Sequence, residues 1–300
     1  MLRVAMCTLL LASLPASTLA EALDLSKPED NLSAYLKMRG SLDGKDVVTW
    51  WSGQVFAAIP DERPKLLFGF EGMNVARMEQ LEDGSWRMLS REYAVYKDPK
   101  SGQILEDWLN PWTGATLKVF DVQNDPVNQQ LGGGPRADGE VPRLLPLRQM
   151  GDDVILGFDV PLAYPNPIQP DQYPESSTGP LYVGSEHFGF YARKAELDDP
   201  SIQSAPIAIA WFREGPWLPW MKMGDHAGLL IYSGYGKKLL GGVDELPQPF
   251  HDYLKQHAPE YLTAPREWSQ PNATSWTVYK RQVLEAEPPT ADETPSGKAE

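Results

Sequence analysis

Between residues 47 and 122 apolar, β-branched and aromatic runs alternate with short turn-forming separators, and no other feature of the chain limits its fold so strongly. The runs read as strands at 47–59, 66–70, 74–81, 85–96, 104–109 and 116–122. Gly72, Asp83-Gly84 and the stretches 98–102 and 110–114 separate them, each offering Gly, Pro, Asn or Asp where a hairpin needs a positive or fixed φ. Hairpins in succession predict an antiparallel meander. Further strands are expected at 154–160, 181–192, 207–213, 228–235 and 275–283, with helices at 31–38 and 249–257. Two Pro/Gly-rich stretches, 131–136 and 161–180, interrupt the pattern as long loops, which tend to carry lids or binding segments. A sheet of this size exposes its edges unless it closes. The expectation is therefore a mainly β fold, an antiparallel meander closing into a barrel, lipocalin-like in general architecture, with a few short helices. A two-sheet sandwich is the alternative; without βαβ alternation or an internal repeat, a doubly wound α/β fold is not expected.

Residues 1–20 join Arg3 to an apolar run from Val4 to Leu14 and small residues at Ala16, Ser17, Thr18 and Ala20, the pattern of a cleaved secretory signal. The run is too short to span a bilayer. Cys7, the one cysteine, lies inside it, so a chain starting at Glu21 has no disulfide, thiolate nucleophile or Cys-ligated metal. Losing Arg3 takes the formal charge from −14 to −15, a sign that argues against nucleic acid and anionic lipid as partners. The expectation is a periplasmic or secreted protein with no membrane insertion after cleavage. It would have one domain over 21–284 and a disordered tail over 285–300, rich in Pro, Glu, Thr and Ala.

The densest chemistry lies in 211–228, WFREGPWLPWMKMGDHAG. A buried Trp needs a partner for its N–H, so Trp211, Trp217 and Trp220 beside two prolines predict a rigid aromatic wall, with Tyr232 in the next strand. Side chains alternate faces along a strand, so only one of Arg91 and Glu92 points inward, as does only one of Glu186 and His187. Arg91 and Arg213 suit orientation of an anionic or carbonyl group. Glu186, His187 and Asp225 are candidates to move protons, and Asn124 to reach a pocket from a strand end. The competing readings are a rim ion pair for Arg91 and Glu92, an Asx-turn at Asn124 and a satisfied structural histidine at His187. Met221, Met223 and His226 invite a copper reading, but the four histidines form no HxH or HxxxH pair and Met fills core gaps, so no metal or other cofactor is expected. No GxSxG elbow, GxGxxG fingerprint or P-loop occurs.

The segments WFREGPWLPWMKMGD, NDPVN at 124–128, the stretch 91–114, SEHFGF and ATSW at 273–276 resemble the domain-of-unknown-function family numbered 1838. The resemblance covers most of the chain, from about Leu32 to Lys280, and implies that these segments belong to one domain. Where such proteins usually carry Glu before Thr-Ser-Trp this chain has Ala273, which removes any carboxylate role there.

Three functions fit these residues. One is a cofactor-independent lyase, isomerase or hydrolase acting by acid–base chemistry on a small, fairly apolar molecule in an aromatic-lined pocket. Another is a non-catalytic periplasmic carrier for a hydrophobic ligand, using the same wall. The third is an interaction protein that docks a partner through its Trp-rich segment.

Overall fold

The computed structural model describes residues 22–131 and 144–286. The expected signal segment, the glycines at 132–134 and residues 287–300 of the expected tail lie outside the described residues.

Three long strands, β1 (Val47–Ala58), β2 (Lys65–Gln80) and β3 (Trp86–Lys97), form a meander, and a short ribbon follows, β4 (Asp107–Leu109) with β5 (Thr116–Lys118). The chain returns to β3 as β6 (Val122–Asn124) and β7 (Gln129–Leu131). A second meander comprises β8 (Leu147–Met150), β9 (Asp153–Pro165), β10 (Leu181–Arg193), β11 (Ala208–Gly215) and β12 (Leu229–Leu239). Pairing of β12 with β1 joins the two into one sheet ordered β6-β3-β2-β1-β12-β11-β10-β9-β8, with β7 beside β6 on β3. The mainly β, antiparallel expectation holds.

Two local expectations do not. β2 runs through Gly72 without turning, because the missing side chain makes room for a ring: a Cβ there would lie 2.8 Å from Trp51 Nε1 and 2.7 Å from Ala94 Cβ. Residues 275–279 form the helix α4 (Ser275–Tyr279; α1–α3 are given below), not a strand. Thr274 accepts from the Thr277 backbone N–H while its own N–H donates to the Thr277 hydroxyl, a reciprocal cap that outweighs β-branched propensity. β9 also extends to Pro165, so the long loop starts only at Asn166.

The sheet curls, and the helix α1 (Pro28–Arg39) shows how far. Asn31 bonds both backbone groups of Leu145, just before β8, at 2.8 and 3.1 Å, while the Tyr35 hydroxyl reaches Gln129 of β7 at 3.4 Å. Those segments belong to opposite ends of the sheet, about 38 Å apart if it were flat at about 4.8 Å per strand step. Asn31 and Tyr35 are one helical turn apart, about 6 Å. The ends have therefore come round to within the width of a helix. They do not pair with each other: among the described residues β8 bonds only β9, and β6 and β7 bond only β3. The expected closed barrel is not found; α1 fills the seam, its Ala34, Leu36 and Met38 packing with Met78, Met88, Leu156 and Phe190.

Glycine permits the curl at the sheet's centre. Gly53 of β1 lies opposite Gly234 of β12, and the Phe70 and Trp211 rings close over the pair. A Cβ on Gly53 would sit 2.7 Å from Phe70 Cε1. On the outer face α3 (Gln248–His257) sets Phe250 and Leu254 against Val48, Met73, Val75 and Val95. Buried Asp121 accepts from the Tyr93 and Tyr253 hydroxyls at 2.7 and 2.8 Å, tying α3 to β3. The short helix α2 (Lys194–Asp198) follows β10. Lys238, 4% exposed, donates to Lys37 O, Gly40 O and Ser204 Oγ at 2.7 to 3.0 Å, anchoring the C-terminal end of α1 to β12. Burial, with the Arg39 charge nearby, lowers its pKa to about 7. No described helix is long and apolar enough to cross a membrane.

Truncating the seam residue removes both hydrogen bonds to the half-buried backbone of Leu145, each worth about 0.5–1.5 kcal/mol. Asn31→Ala is therefore expected to lower the unfolding free energy from urea titration by about 1–3 kcal/mol with an unchanged slope, whereas Asp30→Ala, one residue away and outside the seam, is expected to shift it by less than about 0.5 kcal/mol. Equal effects of the two would contradict the bridging role.

Candidate functional site

Even-numbered residues of β3, β10 and β12 and odd-numbered residues of β11 share the concave face, so curling collects side chains that are distant in sequence. Arg213 of β11 is at the middle of the group. Its Nε lies 3.4 Å from Glu186 Oε1, an ion-pair contact not aligned as a hydrogen bond, and its Nη2 donates to the Tyr182 hydroxyl. Its guanidinium carbon stands 5.2 Å from the Tyr232 ring, 5.5 Å from the Trp276 ring and 6.0 Å from the Tyr182 ring. Burial works against its charge, but Tyr182, Tyr232 and the Glu186 carboxylate outweigh that, so its pKa rises above its already high ordinary value. The indole N–H of Trp211 donates to Glu186 Oε2 at 3.4 Å.

A second carboxylate faces this group from β3. Glu92 accepts from Asn124 Nδ2 at 3.1 Å, and Ser275 at the start of α4 donates to Asn124 Oδ1 at 3.2 Å. Burial raises the Glu92 pKa. The Asn124 bond opposes that shift, the Glu186 charge adds to it, and Arg39 and Arg213 oppose it more weakly. Burial also raises the phenol pKa values of Tyr96 and Tyr232, whose rings belong to the same cluster. These polar side chains are not sealed in: Arg213 and Glu186 keep 14% and 24% of their side-chain surface accessible, and Glu92 and Asn124 are half-buried. Solvent therefore reaches the charged groups of the concave face.

Of the residues singled out from sequence, Glu186, Arg213, Asn124, Trp211 and Tyr232 meet here. Arg91 does not: it is on the outer face, donating to Glu260 O at 2.7 Å and facing Asp125 at 3.4 Å, and its neighbour Glu92 is the inward residue. His187 also points outward, bonded to Asp159 at 2.8 Å with about half of its side chain exposed. Asp225 is exposed in the loop between β11 and β12. Trp217 and Trp220 are 1% and 3% exposed and offer a ligand almost no surface. Trp217 donates to His226 O and packs on Trp112; Trp220 meets the edges of Phe68, Tyr96 and Trp108 within 5.7 Å. The Trp-Pro segment is thus a packed cap at one end of the concave face. Met221 and Met223 belong to it, Met223 Sδ accepting from Asn110 at 3.3 Å. Glu92, Tyr182, Trp276 and Arg39 complete the site unannounced; for Glu92 the signal was its adjacency to Arg91.

A depression of about 370 Å³ lies on the opposite, outer face of β10, β11 and β12, lined by His187, Tyr191, Phe212 and Tyr235. Apart from Trp211 it shares no polar member with the concave site.

The raised Glu92 pKa has a sign that can be read in stability. Below the ordinary glutamate range both folded and unfolded chains hold the proton, and above it the unfolded chain releases it while the folded chain resists, so this residue's contribution falls as pH rises through the raised folded pKa. Glu92→Gln keeps an oxygen for Asn124 and has no proton to lose. Its melting temperature is expected to match the wild type at pH 4 and to exceed it as the pH is raised above the ordinary glutamate range, a tenfold difference in proton affinity between folded and unfolded chains being worth about 1.4 kcal/mol. A constant difference across that range would show that Glu92 ionises as freely folded as unfolded.

The residues of the site come from segments far apart in the chain: Glu92 from 91–114, Asn124 from NDPVN, Glu186 from SEHFGF, Arg213 from WFREGPW, and Ser275 and Trp276 from ATSW. No curated protein matches the chain in sequence. A family model does match, over residues 44–283, and takes in every one of these segments; the chain belongs to the family described as "Protein of unknown function (DUF1838)".

Proposed function

We propose that the concave cleft is the active site of an enzyme that acts by acid–base chemistry on a small, fairly apolar organic molecule, as a lyase, isomerase or hydrolase. The observation that carries this is the pair of carboxylates in unlike surroundings, Glu92 desolvated beside an amide and Glu186 beside a guanidinium. Two neighbouring carboxyls held in different protonation states supply an acid and a base at one pH. Glu92 retains a proton to donate to an oxygen of the substrate that gains electron density. Glu186, facing Arg213 at 3.4 Å, takes a proton from carbon or from water. Arg213 steadies the negative charge that passes between them, and the half-buried rings of Trp211 and Phe188 give the apolar walls. The curled sheet works as a barrel-like chamber with α1 in its seam. With the signal pattern of residues 1–20, the setting is the periplasm or the exterior.

The test begins with native mass spectrometry of the mature protein purified from the exported fraction, to identify the molecule it carries. Turnover of that molecule is then compared in wild type, Glu92→Gln and Glu186→Gln. Loss of one acid–base group is expected to lower turnover about 10²- to 10⁴-fold while binding persists. A wild type that binds the molecule tightly and never converts it would make the protein a carrier.

A further inference from the structure

We propose that the molecule bound in this cleft is a planar organic monoanion, and that Arg39 holds its carboxylate at the α1 end of the cleft. The inference rests on reading the concave face as a small-molecule site, and adds the class of ligand.

It starts from a charge left over. Two guanidiniums act on Glu92 from within the curled sheet, Arg213 and Arg39. Arg213 has Glu186 as its counter-ion. Arg39 has none among the described residues, and its Nε is buried without a hydrogen-bond partner. Burial and the nearby Glu186 charge disfavour the Glu92 carboxylate, and Glu92 forms no ion pair with Arg39 among the described residues. Lys238, the nearby ammonium, directs its donors at Lys37 O, Gly40 O and Ser204 Oγ. A buried cationic donor without a partner is costly, and an anion placed against it removes that cost.

The surroundings define the rest of the ligand. Arg39 lies over the Phe190 ring, 4.4 Å from its centre. Rings continue from there toward Arg213, both half-buried: Phe188 at 6.0 Å from Phe190 and Trp211 at 6.4 Å from Phe188. A flat apolar body fits along such a wall, its carboxylate at Arg39 and its far end beside Glu92, Glu186 and Arg213. One unpaired guanidinium matches a single carboxylate; a phosphate dianion would need further donors, and the nearest cation has already committed its own.

The test uses isothermal titration of the mature protein with cinnamate and with cinnamamide, which share a shape and differ in charge. Cinnamate is expected to bind at least about tenfold more tightly, the worth of one charge-assisted hydrogen bond. Arg39→Gln should abolish that preference while leaving the weaker amide affinity unchanged, and Arg39→Lys, which keeps the charge, should restore part of it. Equal binding of acid and amide, or a preference that survives Arg39→Gln, overturns the assignment. If both compounds bind equally and both are lost in Trp211→Ala, the small-molecule site stands without the anion. If neither binds, the anion assignment falls and the site itself is in question. The conversion assay on the co-purified molecule judges the acid–base reading separately.

Discussion

The buried guanidinium of Arg213 is the constraint on which the site depends. A cation inside a folded chain costs several kcal/mol unless it is paired and hydrogen-bonded. Here the offset is assembled from three elements, Glu186 and Tyr182 on β10, Tyr232 on β12 and Trp276 on α4, around the arginine on β11. Cation–π contacts contribute about 0.5 to 2 kcal/mol each, more as water is excluded. No one of these partners is sufficient alone. Their shared demand fixes the packing of α4 against the concave face, which in turn brings Ser275 to Asn124 and Asn124 to Glu92. A single charge thereby orders groups on both halves of the sheet.

That arrangement requires the sheet to curl, and the curl follows from local chemistry. Gly53 and Gly234 allow Phe70 and Trp211 to lie against the backbone, and α1 spans the seam through Asn31 and Tyr35. The helix does what strand pairing would do in a closed barrel, with one difference: it places a side chain, Arg39, inside. At the other end the tryptophan cap shuts out water through packing of Trp217, Trp220, Trp108 and Trp112.

How much of this was legible in the sequence differs by feature. The strands of both meanders show as runs bounded by turn residues, because hairpin geometry demands those residues. The inward face of β3 did not show. Both of its faces are apolar, Leu89, Tyr93 and Val95 on one side and Met88, Ala94 and Tyr96 on the other, because α3 covers the outer face as the core covers the inner. Period-two alternation then separates Arg91 from Glu92 without saying which is inside. His187 and Glu186 pose the same ambiguity, resolved only by the exposure of the outer face of β10. Trp217 and Trp220 misled differently. Their density signals burial, and burial serves a cap as well as a pocket wall. Gly72 and the 275–279 stretch failed for local reasons, a ring needing space and a reciprocal cap outweighing β-branched residues.

The unlike settings of Glu92 and Glu186 follow from this same architecture. Glu186 sits on the strand next to Arg213, opposite it in the β10–β11 register, so pairing across two adjacent strands is built in. Glu92 belongs to the other half of the sheet, and its register partner on β6 is Asn124, a neutral amide. One carboxylate thus inherits a cation from its neighbour strand and the other does not. The curl then brings the two close enough for the charge of Glu186 to oppose ionisation of Glu92. A flat sheet with the same sequence would hold them about 24 Å apart, at about 4.8 Å for each of five strand steps. That is beyond the range over which salt water transmits a charge. The unlike surroundings of the two carboxyls are in this sense a product of strand order and curvature together.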